Sequence, residues 1–152
     1  MESYMDSQYP ASGSALRLYR SLITTMEVLR SQKGTLLKAH GLSETQYELL
    51  VILKYGPQDG LSCSHIAQHM ICHDPDVTRI LDRLEKRGMV ARRRDPADRR
   101  IVVTRVLPTG LALLDIVEAT IASLHAQQFA VLLPDELERL QTQITRMRPV
   151  PG

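Results

Sequence analysis

Tryptophan is absent from this 152-residue chain, phenylalanine occurs once and tyrosine five times, so whatever core it builds must be aliphatic. Cysteine is nearly as scarce: two residues, too few for a disulfide scaffold, and expected as reduced thiols. A Cys63–Cys72 bridge within one chain is not expected, since nine helical residues span on the order of 13 Å. The first ten residues are acidic and polar rather than basic and then apolar, and no apolar run reads as approaching membrane-spanning length. A cytoplasmic location without membrane contact is therefore the expectation. There is no Gly-rich phosphate loop, no nucleophile elbow and no acid/base pair at a convincing spacing, which argues against an enzyme; no cofactor and no resident metal are expected.

What the chain does have is charge, unevenly placed. Its formal net charge is only +2, yet from Arg79 to Arg105 ten basic residues face four acids, a local net of +6. The rest is thus net acidic. Concentrated positive charge is the electrostatic footprint of a polyanion partner. The bland alternative, a solvated helix face with local ion pairs such as Asp82–Lys86 at i, i+4, does not account for Arg92-Arg93-Arg94 and Arg99-Arg100 on one tight hairpin.

The hydrophobic pattern organises that segment. Asp74 and Pro75 read as N-cap and first residue of a helix carrying Val77, Ile80, Leu81 and Leu84 on one stripe, with Asp76, Arg79, Asp82, Arg83 and Lys86 opposite and Gly88 as the stop. Strands follow over 89–94 and 100–106, joined by Asp95-Pro96-Ala97-Asp98. Upstream, 1–13 reads as a loose tail. A long helix over 14–39 carries Leu18, Leu22, Met26 and Leu29, with a weak point at Gly34. The capping box Ser43–Gln46 opens a second helix that Gly56-Pro57 closes. A short helix beginning at Leu61-Ser62 buries Ile66, Ala67 and Met70, and Ile71-Cys72-His73 forms a turn. Downstream, helices are expected over 108–132 and from Pro134. The order α-α-α-α-β-β-α-α makes this a mainly α (α+β) chain. Its winged helix-turn-helix occupies 43–106, and flanking helices at 14–42 and 107–148 need partners for their apolar faces. A homodimer is the expected solution.

The run Val77-Thr78-Arg79, Asp82-Arg83-Leu84-Glu85-Lys86-Arg87-Gly88, Val90 and the wing Arg94-Asp95-Pro96-Ala97-Asp98-Arg99-Arg100 resembles the MarR (multiple-antibiotic-resistance regulator) family, and the likeness extends over nearly all of the chain after residue 14. It implies a triangular homodimer that controls transcription, usually by repression relieved by a small molecule or by oxidation. It also implies that Arg100 enters the minor groove while Asp98 holds its guanidinium. One departure is Leu107, which stands where the family places a capping Thr; the next helix then leans on Pro108 and loses about 1 kcal/mol of capping.

The partner expected is double-stranded DNA. Arg79 and Arg83 suit guanine edges, because a guanidinium matches O6 and N7 bidentately. Thr78 suits a phosphate or thymine methyl. Asp76 either accepts from cytosine, orients Arg79 or stabilises the helix start, and these readings remain open. Arg93, Arg94 and Arg99 suit phosphates, as do Ser62, Ser64 and His65 at the start of the preceding helix. For the signal, two readings stand: a small molecule bounded by Met26, His40 and Tyr47, or a metal- or thiol-responsive site using His65, His69 and Cys72. The second lacks a completing carboxylate on that helix. A winged helix serving only protein contacts is the rival to DNA binding, and it would not need ten basic residues.

Overall fold

In the computed structural model the described residues are 13–71, 76–96 and 98–147. Residues 1–12 of the expected tail, together with Cys72, His73, Asp74, Pro75, Ala97 and residues 148–152, lie outside them. The elements are α1 (Ser14–Ala39), α2 (Glu44–Tyr55), β1 (Leu61–Ser62), α3 (Cys63–His69), α4 (Val77–Lys86), β2 (Val90–Arg94), β3 (Val102–Val106), α5 (Pro108–Gln128) and α6 (Pro134–Arg146). The three strands form one antiparallel sheet in the order β1-β3-β2, with Val90 opposite Val106 and Arg94 opposite Val102.

Local chemistry sets most of these boundaries. Ser43 Oγ accepts from Gln46 N–H at 3.1 Å while Gln46 Oε1 accepts from Ser43 N–H at 3.0 Å, the reciprocal box that opens α2. α1 and α4 end alike. Gly41 and Gly88 adopt positive φ (70° and 66°), and the residue after each donates back to the helix, Leu42 N–H to Leu37 O at 2.9 Å and Met89 N–H to Leu84 O at 3.0 Å. A side chain in that left-handed conformation would be strained, so glycine at these two ends is what lets the chain turn back on the core.

That core is aliphatic, as the lack of aromatics requires. Leu37, Leu49, Leu50, Ile66, Leu81, Leu84, Leu114 and Val117 are fully buried where α1, α2, α3, α4 and α5 meet beneath the sheet. α1, α2 and α5 are tied together at their contacts by polar groups. Lys54 on α2 donates to Asp115 at 2.8 Å and Glu118 at 2.6 Å on α5, and these bonds hold its ammonium well above the usual lysine range. Gln128 donates to Gln32 at 2.7 Å.

Several details differ from the sequence reading. Leu61-Ser62 is a strand paired to β3 rather than the start of a helix, because Leu61 lies opposite Thr104 and Ser62 opposite Val103. Ala67 is exposed, so α3 buries only Ile66 in the helix and Met70 at its end. α1 runs through Gly34 without a break, and α5 stops at Gln128. As expected, Leu107 provides no side-chain cap and Pro108 occupies the first turn. Among the described residues, α5 is the one helix whose length and composition would allow it to cross a bilayer. Its Leu114, Val117 and Ile121 instead fill the core, and Asp115 and Glu118 bind Lys54.

Candidate nucleic-acid interface

α4 presents two faces of opposite character. Val77, Leu81 and Leu84 are buried, while Thr78, Arg79, Arg83 and Lys86 are exposed. Asp76 resolves in favour of the helix start: its Oδ1 accepts from Arg79 N–H at 3.0 Å as the N-cap. This places the cap two residues later than the sequence suggested, and it leaves the Arg79 side chain unencumbered.

The ten basic residues divide by what they touch. Arg87 donates to Gly41 O at 2.8 Å, fastening α4 to the end of α1. Arg92 is held by Glu85 and Asp82 of α4, with Nη2 at 2.6 Å and 2.5 Å from their oxygens and Nε at 2.9 Å from Glu85. Asp82 therefore pairs with the wing rather than with Lys86. Arg92 in turn holds the Glu85 carboxyl below the usual carboxylate range. Arg93 reaches Asp59 at 3.3 Å, a loose contact, and Arg94 Nη1 donates to Arg99 O at 3.1 Å. Arg79, Arg83, Lys86, Arg99, Arg100 and Arg105 make no side-chain hydrogen bond or ion pair to any described residue. Five of those six flank the exposed side of α4 and the wing loop.

The wing loop is closed by main-chain bonds. Asp95 N–H donates to Ile101 O and Ile101 N–H to Asp98 O, both at 2.9 Å. Asp98 Oδ1 accepts the main-chain N–H of Arg100 at 3.0 Å. Asp98 thus positions Arg100 through the backbone, not through the guanidinium as the family resemblance implied.

At the start of α3, Ser62 Oγ caps His65 N–H at 3.3 Å and shares a 2.9 Å hydrogen bond with Ser64 Oγ. Ser64 and His65 are exposed beside it. His69 Nδ1–H donates to His65 O at 2.7 Å, which leaves Nε2 as the accepting ring nitrogen. Among the described residues no three of His, Cys, Asp and Glu converge, and Cys72 lies outside them. On α2, the carboxylate of Glu48 accepts from the main-chain N–H of Ile71, anchoring the end of α3.

Of the three residues suggested for a ligand wall, Met26 is 58% exposed on α1. Tyr47 packs against the core, with Lys33 Nζ 4.8 Å from its ring centre and its hydroxyl pKa raised chiefly by burial. His40 caps the end of α1. A cavity of about 790 Å³ lies elsewhere, between Val51, Ile52 and Tyr55 of α2, Leu61, His65 and Val103, and none of the three borders it.

Asp82, Glu85 and Arg92 are the residues whose partnership the sequence reading missed. A faint signal existed: two acids at i, i+3 on a helix followed within seven residues by the first arginine of a basic strand.

A model of the MarR family matches residues 42–102. The chain is 30% identical over 119 residues to the transcriptional repressor MprA of Escherichia coli strain K12, covering 78% of this chain and 66% of that one. The crystal structure of a MarR transcription factor from Planctomyces limnophilus is similar at 30% identity with a TM-score of 0.68, covering 88% of this chain and 97% of that one. The structure of an S. aureus MepR–DNA complex shares the fold at 20% identity with a TM-score of 0.73, covering 90% of this chain and 97% of that one.

Proposed function

The chain belongs to the MarR family, and from that premise we propose that it is a transcriptional regulator that binds double-stranded DNA as a homodimer on a palindromic site. α4 enters the major groove, where Arg79 and Arg83 meet base edges and Thr78 a phosphate or thymine methyl. The wing lies over the adjacent minor groove with Arg100 inserted, attracted by the negative potential of a narrow A·T-rich stretch. Arg93, Arg94 and Arg99 contact phosphates, and Ser64 and His65 do so at the start of α3. The carrying observation is that Arg79, Arg83, Lys86, Arg99 and Arg100, whose side chains have no hydrogen-bond or ion-pair partner among the described residues, are exposed on α4 and the wing loop. Like charges so gathered are unfavourable until a polyanion neutralises them.

Repression is the sense we assign, by analogy with the MprA repressor. Release by a small-molecule signal rests on the family resemblance. The regions 14–42 and 107–148 serve as the dimerisation region, on the strength of their exposed apolar faces, and 43–106 serves as the reading head.

Duplex binding titrated against salt tests the assignment. The logarithm of the affinity should fall steeply and linearly with the logarithm of salt concentration. Arg100→Ala should cost about 1–3 kcal/mol on the specific site, while Arg94→Ala should weaken all sequences alike. A complex insensitive to salt would favour a winged helix that contacts proteins instead.

A further inference from the structure

Arg92 lies in the basic run of the wing, yet its environment differs from that of its neighbours. Its side chain is 24% exposed, and among the described residues its guanidinium bonds to two carboxylates of α4, Glu85 and Asp82. Glu85 does more than balance the charge. Its Oε1 accepts the main-chain N–H of Arg92 at 3.1 Å while Oε2 takes Nε and Nη2. β2 is an edge strand of the sheet, so this N–H points away from β3 and has no strand to bind. Glu85 therefore closes the open edge of the wing and fixes it to the helix in one contact.

We propose that Arg92 is a positioning residue of the DNA-reading surface: gripped by Glu85 and Asp82, it sets the angle between α4 and the wing and makes no phosphate contact. The proposal rests on the DNA-binding reading above. A duplex fixes the separation of a major groove and its neighbouring minor groove, so Arg79 and Arg83 on α4 and Arg100 on the wing must arrive in one register. A loose joint would have to be ordered at the moment of binding, at the expense of affinity for the specific site. Non-specific binding, which needs only phosphates, would not suffer in this way.

An ordinary phosphate-contacting Arg92 gives opposite expectations for two variants. Under that account Glu85→Gln removes a negative charge near DNA and tightens binding, and Arg92→Gln reduces the salt slope by about one phosphate's share. Under the clamp, both variants bind the specific duplex on the order of tenfold more weakly, neither loses salt slope, and binding to random-sequence duplex does not fall. Specific binding by Glu85→Gln that equals or exceeds the unmodified protein would overturn the proposal, as would a shallower slope for Arg92→Gln.

A DNA-free measurement separates the clamp from the reading of function. Native-state hydrogen exchange at the Arg92 amide should be slow in the unmodified protein and at least about tenfold faster in Glu85→Ala, with far-UV circular dichroism unchanged. Equal exchange rates would refute the clamp even if DNA binding stands. If the unmodified protein binds no duplex, the proposal falls with the functional reading, and accelerated amide exchange would then mark the joint as purely structural.

Discussion

The stretch 42–106 buries its apolar faces against the end of α1 and against α5, whereas the N-terminal half of α1 and all of α6 leave theirs exposed. Within 42–106 the α2, α3 and α4 stripes are buried and their first turns capped by Ser43, Ser62 and Asp76. On α1, by contrast, Leu16, Leu18, Tyr19, Ile23, Met26 and Val28 are all exposed, and α6 has no buried residue. Leu18 and Leu22 of α1 and Leu140, Ile144 and Met147 of α6 line a groove of about 400 Å³ between the two helices. The lesson is that apolar periodicity alone does not say where a face is buried. One region satisfies its pattern within the chain. The other carries as strong a pattern and leaves it uncovered, a contiguous surface of the kind that marks an interface.

The contrast can be broken from either side. Leu81→Ala, in the fully buried centre of the closed region, should cost about 2–5 kcal/mol by urea denaturation, because it opens a cavity among well-packed neighbours. In the open region, Leu18→Arg with Leu140→Arg should leave helix content intact and yield a monomer by sedimentation. Its affinity for a two-half-site duplex should fall about 100-fold or more, since the second half-site is no longer engaged from the same particle. Ser43→Ala returns to the closed region and removes one side of the α2 capping box, at a cost of about 1 kcal/mol and with DNA specificity unchanged.

A smaller effect comes from acid. Arg92 holds the folded-state pKa of Glu85 below its unfolded value, so the stabilisation is fully present above the ordinary carboxylate range and is lost as pH falls through the lowered value. Thermal stability between neutral and strongly acidic pH should therefore fall slightly less steeply in Glu85→Gln than in the unmodified protein, because that variant has no such carboxyl to protonate.

Much of the closed region was legible in the residue order. Gly41 and Gly88, the Ser43–Gln46 box and the stripe of Val77, Leu81 and Leu84 are local signals, and local geometry obeyed them. β1 was not legible, because two residues carry no period and their pairing to β3 is a contact across about forty positions. The start of α4 fell between two acids: Asp74 and Asp76 both suit an N-cap, and only the path of the chain selects Asp76. Charge counting was right about the segment and wrong about Arg92. A formal total of +6 cannot distinguish an arginine aimed outward from one folded against Glu85 and Asp82. The ligand wall of Met26, His40 and Tyr47 was the least legible part, since a cavity depends on side chains brought from several elements at once, and the sequence carries no local sign of that.

The central claim is that a closed reading head is paired by an open dimerisation surface to recognise DNA. Selection of bound sequences from a random duplex library tests both halves together. The account predicts a palindromic consensus with half-sites about one helical turn apart, and an A·T-rich stretch where each Arg100 would enter the minor groove. Recovery of no consensus, or of a single unpaired half-site, would contradict it.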